Sequence, residues 1–589
     1  MAGTTHILFQ RQLSRVLFSS TCLPRSTMSV SMISKLLSSK VFRRSVSSTI
    51  PTIRAPSKNI LYPYIYTSGR WLHRDEEQRA MRRIDFHFQE LCKKILSLCP
   101  EASHIISYEK KEGGYNRVLI FLLNNGKRIV ARLPTQAAGP STLTTNSEVA
   151  TILYVKAHTK IPVPDILDWS DDSTNPIGSE YIIMKNAEGV QLEERWPTMS
   201  GSQYTTCVES ICETMKQLAA LKFPAYGSLY FENAPFDSRL KIPIGKGFCI
   251  GPNCSNTYWD HRARRTERKL TVPAGPWRDL ADYSSGLIAN GCSKLPSSDN
   301  NTSRPFYFGS VAEHRELLNS AQSILQSLIT QSQIKDSSAP TLLHADLHAR
   351  NIYVADHDPT LITCLLDWQS SSIEPAFMYA NDVPDFATFP NSCTLKKSPA
   401  STSNDEAPLS KEDTKMRQVA LYCSQAYEIC VQGFIPKLRV ARSVNQTLIR
   451  PFKYANTTWR ISAAALRQEF LDLADEWEEL ELKGECPYSP SFEELQIHRD
   501  EYKAFQQVQD IKKVLIKTLR VGSDGWVPIE HWDETRLAHQ KTFELALEMA
   551  HGDEEGCKMT EGEGEGGDGE DWMTEGEVRE LWPFDGWKF

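Results

Sequence analysis

The chain has 589 residues, 40% of them hydrophobic, which is enough for one large domain with appendages or for two to three domains. The formal net charge of -7 and the pI near 6.1 exclude nucleic acid as an expected partner, because that binding needs a basic face to displace counterions. The 14 cysteines include no C-x-x-C pair, so we expect mostly buried, reduced thiols. No run of 18 apolar residues occurs, and a transmembrane segment is not expected.

The first seventy residues differ in composition from the rest. Basic residues from Arg11 to Arg54 sit among many Ser and Thr, and the first acidic residue is Asp75. This composition is typical of a mitochondrial transit peptide, so residues 1–70 are predicted to be a mostly disordered targeting segment and the protein to be mitochondrial. A disordered basic tail or a chloroplast import signal would have a similar composition.

Residues 80–190 have the pattern of a small lobe built around a β-sheet. Alternating apolar residues predict strands, and apolar residues at three- and four-residue spacing predict helices. The predicted elements are a helix over 85–98, a hairpin of strands 118–123 and 128–133, a helix capped by Asn146, and a short buried strand over 181–184.

Residues 191–550 are predicted to form a larger, mainly helical lobe. Long amphipathic helices are expected over 459–482 and 491–519. Two segments rich in Ser and other polar residues, near 292–303 and 391–412, are expected to be inserted surface loops. Residues 551–589 form an acidic tail rich in Gly and Glu, predicted to be mobile although its aromatic residues could dock. Those aromatic residues are Trp582, Phe584, Trp587 and Phe589.

The segment from His344 to Asn351, followed by Leu366-Asp367-Trp368, has the residue types of a phosphoryl-transfer site. Asp346 is predicted to orient an acceptor hydroxyl as the catalytic residue, and Asn351 and Asp367 to hold Mg²⁺. A hairpin between Asn351 and Asp367 would bring the Asp367 carboxylate back towards Asn351. An isolated Asp or Asn in a turn is usually a local hydrogen-bonding residue, but three in this order and spacing favour the catalytic interpretation.

These motifs resemble the aminoglycoside phosphotransferase and choline kinase-like superfamily. The match includes His344-Ala345-Asp346, Leu366-Asp367-Trp368, the loop 113–118 and the strand 130–134. The resemblance implies an α+β, bilobal protein kinase-like fold with a small antiparallel sheet lobe and a helical lobe. It also implies ATP and Mg²⁺ as cofactors and an unidentified small molecule as acceptor. The implied nucleotide-site residues are Gly113 and Gly114 in the covering loop, Arg132 on the third strand, Glu148 as its helix partner, and Met184 in the strand leading to the adenine-binding hinge.

More narrowly, the basic leader, the Gly-Gly-Tyr-Asn-Arg and Ala-Arg-Leu-Pro motifs and the acidic tail resemble a family of fungal mitochondrial proteins related to altered inheritance of mitochondria protein 9. Two departures from the superfamily pattern matter. Arg132 stands where many kinases have Lys, and Gln369 stands where some relatives have a further acid. Arg132 could also be structural, pairing with Glu148 merely to stabilise the lobe.

Two functional hypotheses follow. The first is a mitochondrial phosphotransferase that uses ATP and Mg²⁺ to phosphorylate a hydroxyl of a small molecule. The second is a weakly active or inactive kinase-like binding protein that supports mitochondrial maintenance or inheritance. Protein partners cannot be identified from the sequence in either case.

Overall fold

The computed structural model describes residues 63–259, 273–299, 304–388, 411–557 and 574–584. The described residues form two compact units: a main unit within residues 63–66 and 79–498, and a second unit within residues 67–78 and 499–584. Several predictions concern residues outside the described ranges. They are the leader up to residue 62, the loop residues 300–303 and 391–410, and the tail residues 558–573 and 585–589.

Strands and helices alternate early in the chain, and helices dominate later. The strands are β1 (Gly69–Trp71), β2 (Ile105–Glu112), β3 (Asn116–Leu123), β4 (Arg128–Pro134), β5 (Ile166–Ser170), β6 (Tyr181–Lys185), β7 (Val190–Gln191), β8 (Ser228–Phe231), β9 (Ile242–Gly245), β10 (Phe248–Gly251), β11 (Pro340–Leu342), β12 (Ile352–Val354), β13 (Ile362–Leu365), β14 (Ile373–Pro375) and β15 (Trp526–Pro528). The α-helices are α1 (Asp75–Met81), α2 (Phe88–Leu98), α3 (Leu143–His158), α4 (Leu192–Arg195), α5 (Gly201–Ala220), α6 (Leu280–Ser293), α7 (Val311–Leu328), α8 (Ser332–Asp336), α9 (Ala376–Tyr379), α10 (Lys411–Phe434), α11 (Pro436–Arg442), α12 (Gln446–Ala455), α13 (Thr458–Ile461), α14 (Ala463–Asp475), α15 (Phe492–Leu519), α16 (Trp532–Cys557) and α17 (Glu575–Leu581).

The sheet lobe of the main unit contains a five-stranded antiparallel sheet in the order β2-β3-β4-β6-β5. Every second residue of β3 is buried, and these include Leu119, Phe121 and Leu123. They share a hydrophobic core with Leu91 and Ile95 of α2. The hairpin between β3 and β4 closes at Gly126, whose φ of 81° lies in the left-handed region that favours glycine.

The predicted hairpin and the strand over 181–184 are therefore present, but two strands of the sheet were missed. Both are edge strands, β2 and β5, and none of their apolar residues is buried. The predicted cap at Asn146 is wrong. Helix α3 begins at Leu143, and the buried Asn146 side chain instead donates to Asp171 Oδ2 at 2.8 Å and accepts from the Phe231 amide at 3.2 Å.

The helical lobe of the main unit is built on one large apolar core. Within it, α5 packs against α10, α6 against α7, and α12 against α14. A single helix over 459–482 was predicted, and this is wrong because the chain breaks at Ser462. That residue is extended, with φ 178°, and its hydroxyl accepts from the Ala465 amide at 3.0 Å, so it caps α14. The predicted helix over 491–519 matches α15.

The second unit has its own core. Strand β1 pairs with β15 in an antiparallel ladder, and Leu515, Trp532 and Phe543 form the apolar cluster behind it. Trp582 and Phe584 are buried in the same cluster, so these two tail aromatics do dock.

The sheet lobe followed by a larger helical lobe confirms the predicted α+β, bilobal, kinase-like fold class. Among the described residues, no helix combines the length and apolarity needed to cross a membrane.

Candidate active site

A short hairpin brings Asn351 and Asp367 to the same place. Strand β12 follows Asn351 directly, pairs with β13, and returns the chain to Leu366. The Leu366 amide then donates to the Asn351 carbonyl at 2.8 Å. Asp367 follows with φ 64°, a left-handed conformation that Asp adopts more readily than most residues. The two predicted metal ligands therefore lie next to one another at the end of one hairpin.

His344 fixes the backbone of the same loop. Its Nε2 lies 2.9 Å from the Leu366 carbonyl, and its Nδ1 lies 3.2 Å from the Asp346 amide nitrogen. Because the amide can only donate, Nδ1 accepts and Nε2 carries the proton. Burial lowers the pKa of His344, which favours the same neutral form. His344 thus connects Asp346 to the residue before Asp367 and orients the loop.

Asp346 is surrounded by donors from its own loop. Asn351 Nδ2 donates to Asp346 Oδ2 at 2.9 Å and also to the Asp346 carbonyl at 2.9 Å. Arg350 donates to both carboxylate oxygens at 2.7 and 2.9 Å, and His348 Nε2 lies 3.1 Å from Oδ1. The carboxylate is partly exposed, with 31% of the side chain accessible. It is therefore held in place while one side stays open to solvent.

Arg132 joins the sheet lobe to the helical lobe. Its guanidinium forms ion pairs with Glu148 on α3 and with Asp367, and its Nη2 donates to Gln369 Oε1 at 3.0 Å. The Arg132 side chain is 10% exposed. The predicted pairing of Arg132 with Glu148 is present in the structure, and the contact with Asp367 extends it.

Electrostatics distinguish the two carboxylates that Arg132 contacts. Burial raises the pKa of Glu148 to about 7, although the Arg132 guanidinium works in the opposite direction. Burial also opposes the charge on Asp367, but Arg132 outweighs it and holds the pKa of that carboxyl below its usual value. Asp367 is therefore the more acidic of the two carboxyl groups.

The predicted nucleotide-site residues of the sheet lobe lie at different depths. Gly113 and Gly114 lie in the turn between β2 and β3, and a Cβ added at Gly114 would meet nothing within 4 Å. Met184 lies on β6 and is buried in a small apolar cluster with Val149 and Ile182. The glycines are thus open to solvent, whereas Met184 is part of the packed interior.

The side chains present fit a magnesium ion. Asn351 uses its Nδ2 on Asp346, so its Oδ1 is left as a ligand oxygen, and Arg132 takes only Oδ1 of Asp367. In the described part of the chain, no group of three or more His, Cys, Asp and Glu residues is placed to hold a metal. One carboxylate and one amide oxygen, completed by substrate phosphates, is a usual protein contribution to a Mg²⁺ site.

Sequence reasoning missed Asp385 and the role of Arg350. Asp385 lies in a short 3₁₀ turn, accepts from the Ala349 amide at 3.0 Å, and lies 3.5 Å from His348 Nδ1. Nothing in the local sequence around Asp385 indicates this contact, because the two segments meet only in the tertiary structure. Arg350 lies four residues after Asp346, at the spacing of helical ion pairs, and that spacing was an available signal.

Comparisons with known proteins show what the chain is similar to. Residues 111–378 match the model of the phosphotransferase enzyme family, which spans all the residues of the site except Asp385. A subtelomeric hrmA-associated cluster protein of Aspergillus fumigatus is 27% identical over 505 residues, covering 78% of this chain and 96% of that protein. Altered inheritance of mitochondria protein 9, mitochondrial, of Yarrowia lipolytica is 21% identical, covering 80% of this chain and 85% of that protein. Among solved structures, the ADP-bound aminoglycoside phosphotransferase APH(2'')-Ib has 12% identity and a TM-score of 0.29, covering 64% of this chain and 98% of that one.

Proposed function

We propose that the protein uses ATP and Mg²⁺ to phosphorylate a hydroxyl group of a small molecule in mitochondria. The match of residues 111–378 to the model of the phosphotransferase enzyme family supports this proposal. The observation that carries the proposal is the hairpin that brings Asn351 and Asp367 together beside Asp346. Phosphoryl transfer depends mainly on positioning and on neutralising phosphate charge, and this loop supplies both kinds of group.

Each residue has a defined role in the proposal. Asp346 orients the acceptor hydroxyl and accepts its proton, while the ligand oxygens of Asn351 and Asp367 hold the metal. Bound Mg²⁺ would neutralise the charge of the transferred phosphoryl group. On the opposite side, the loop of Gly113 and Gly114 covers the phosphates.

The remaining predicted residues complete the nucleotide site in the proposal. Arg132, oriented by Glu148, contributes positive charge next to the phosphates. Met184 would line the adenine side of the cleft, since β6 leads into the connection between the lobes.

Activity can be tested while the acceptor is still unidentified. The full chain is incubated with γ-labelled ATP and a cell metabolite extract, with Mg²⁺ or with a chelator, and labelled products are separated. We expect the transfer of label to require Mg²⁺. The variants Asp346→Ala and Asp367→Ala should abolish it. Asp336→Ala changes an exposed aspartate of α8 and serves as the matched control. Absence of both nucleotide binding and label transfer in the wild type would sink the proposal.

The proposed location rests on the basic, acid-poor leader and on the mitochondrial designation of the Yarrowia relative. Residues 1–70 fused to a fluorescent reporter are expected to direct it to mitochondria. A matched fusion in which the basic residues of the leader are replaced by Gln should stay in the cytosol. If the wild-type fusion also stays in the cytosol, the proposed location is contradicted.

The second candidate function is a weakly active or inactive kinase-like binding protein with a role in mitochondrial maintenance or inheritance. It is favoured by the ion pairs that occupy both acidic side chains, Arg350 on Asp346 and Arg132 on Asp367. The same labelling experiment separates the two functions. Nucleotide binding without label transfer, unchanged by Asp346→Ala, would select the binding protein.

A further inference from the structure

We propose that the Arg132 guanidinium takes the place of one metal ion, so that the site holds a nucleotide with a single divalent cation. The inference rests on the proposed function, because it concerns how that site binds its nucleotide. It is supported by the set of hydrogen bonds by which Arg132 connects Glu148, Asp367 and Gln369.

The guanidinium is fixed from several sides. Its Nη1 donates a hydrogen bond to Glu148, and its Nη2 donates to Asp367 and Gln369. These partners come from two elements, helix α3 and the loop after β13, so the guanidinium is held on opposite sides. An arginine stays protonated in proteins, and the positive charge is therefore a permanent part of the site.

This arrangement leaves few ligand oxygens for metal. Oδ1 of Asp367 accepts from Arg132, and only Oδ2 remains for a cation. A second divalent ion on Oδ1 would have to displace the guanidinium or lie against its positive charge. Gln369, two residues after Asp367, offers a neutral amide that already accepts from Arg132 at 3.0 Å.

One metal remains well provided for. The two ligand oxygens are Asp367 Oδ2 and Asn351 Oδ1. The hydrogen bond from the Leu366 amide to the Asn351 carbonyl holds these two residues close together, because Leu366 directly precedes Asp367. The guanidinium would then supply positive charge on the other side of Asp367. Its planar donor geometry also matches phosphate oxygens, which a nucleotide would bring into the site.

Lysine at position 132 could not make the same set of contacts. A Lys has one ammonium group, whereas Arg132 uses separate nitrogens for Glu148 and Asp367. With Lys on Glu148, Oδ1 of Asp367 would become available to a second cation. Arg132→Lys is therefore the variant that exposes the second metal position.

The test counts metal ions directly and does not require turnover. Mn²⁺ binding to the full chain is measured by electron paramagnetic resonance with saturating AMP-PNP, and the count is expressed per protein–nucleotide complex. We expect one Mn²⁺ for the wild type and a twofold count for Arg132→Lys. Arg442→Lys alters a buried arginine that pairs with Glu428 away from the site, and it should keep the wild-type count.

Every outcome decides the inference. A wild-type complex with two Mn²⁺ overturns it while leaving the proposed function intact. A count of one for a folded Arg132→Lys, verified by circular dichroism, also overturns it. If that variant does not fold, the wild-type count decides alone. A wild type that binds no nucleotide with Mn²⁺ overturns both this inference and the proposed function.

Discussion

Arg350 determines how freely Asp346 can act on an acceptor. It donates to both carboxylate oxygens, but 55% of its side chain is exposed, and exposed ion pairs contribute only about 0.2–1 kcal/mol. A pair of that strength changes a rate by at most about fivefold, since 1.4 kcal/mol corresponds to tenfold. The contact therefore modulates Asp346 and does not block it.

Arg350→Ala should accordingly raise the Mg²⁺-dependent turnover of ATP by no more than about fivefold, because both Asp346 oxygens lose a competing donor and become accessible to the acceptor hydroxyl. Steady-state kinetics with saturating ATP measure the change. Arg195→Ala, which removes an exposed arginine bonded to the Asp356 carbonyl, is the comparison variant. A loss of tenfold or more with Arg350→Ala would contradict this weak modulation and indicate a direct contact with substrate.

Substituting Gly114 tests whether its loop covers the phosphates, without disturbing the packing of other side chains. A Cβ at this position meets nothing within 4 Å, and its φ is not in the left-handed region. Gly114→Ala should therefore keep or slightly raise stability, by up to about 1 kcal/mol, because it restricts the unfolded chain. Nucleotide affinity should fall severalfold, because the added methyl group lies where the backbone approaches the phosphates.

Calorimetric titration with AMP-PNP and a thermal melt give the two readouts for Gly114→Ala. Gly201→Ala is the matched control, since a Cβ there also meets nothing within 4 Å. Equal nucleotide affinity in the two variants would show that the loop does not cover the phosphates.

At the scale of elements, Arg117 attaches strand β3 to a distant segment of the chain. Its guanidinium donates to the carbonyls of Pro63 and Arg82 at 2.7 and 3.0 Å and lies 2.9 Å from Glu112. Only 1% of its side chain is exposed. Strand β3 thereby fixes the chain that leads into α2 and stabilises the sheet lobe.

Arg117→Ala should destabilise the main unit by about 3–5 kcal/mol, because it removes one of the two cations that pair with the buried Glu112 carboxylate and leaves two buried carbonyls without their donor. Chemical denaturation followed by circular dichroism measures the loss. Arg128→Ala removes an exposed arginine from the next strand and should change stability by less than about 0.5 kcal/mol. Similar losses in both variants would refute the role of Arg117.

Elements with a local pattern were predictable, and the others were not. The hairpin of β3 and β4 carries alternating apolar residues and a glycine turn, and α15 carries helical periodicity. The edge strands β2 and β5 bury none of their apolar residues, so their sequences lack the alternation of apolar and polar residues that predicts a strand. Ser462 ends one helix and caps the next without interrupting the apolar pattern, which made two helices read as one.

The contacts of the candidate site also differ in whether the sequence could predict them. The spacing of Asp346, Asn351 and Asp367 is local and was predicted from the motif. The contact of Arg132 with Asp367 joins residues 235 positions apart, and only the folded sheet lobe brings them together. The roles of these residues stay predictions until the variants are measured.

At the scale of the whole molecule, a buried carboxylate links stability to pH. Glu374 of β14 is 2% exposed and accepts from Asn253 at 2.5 Å and from Tyr258 and Ser372 at 3.3 Å. Burial raises its pKa from 4.5 to about 7, against the opposing effect of these hydrogen bonds. The protonated form is therefore favoured in the folded protein, and Glu148 and Glu469 are raised to a similar value.

The sign of the pH effect follows. The unfolded chain releases the Glu374 proton near pH 4.5, and the folded protein releases it near pH 7, so the contribution is complete below pH 4.5 and is lost as pH rises through 7. For this residue alone the loss is about 3 kcal/mol. Thermal melts from pH 5 to 8 should show falling stability in the wild type and a shallower fall in Glu374→Gln. Identical slopes would contradict the assignment.

The pairing of β1 with β15 has a consequence for the order of folding. Trp71 donates to Asp524, a partner 453 positions further along the chain, and the same unit buries Trp582 and Phe584. Closing a loop of that length before the rest of the chain has folded carries a large entropic cost. The main unit ends at His498 and contains most of the residues between the two strands. We therefore expect the main unit to fold first and the second unit to assemble last, whether the chain folds as it is synthesised or after import.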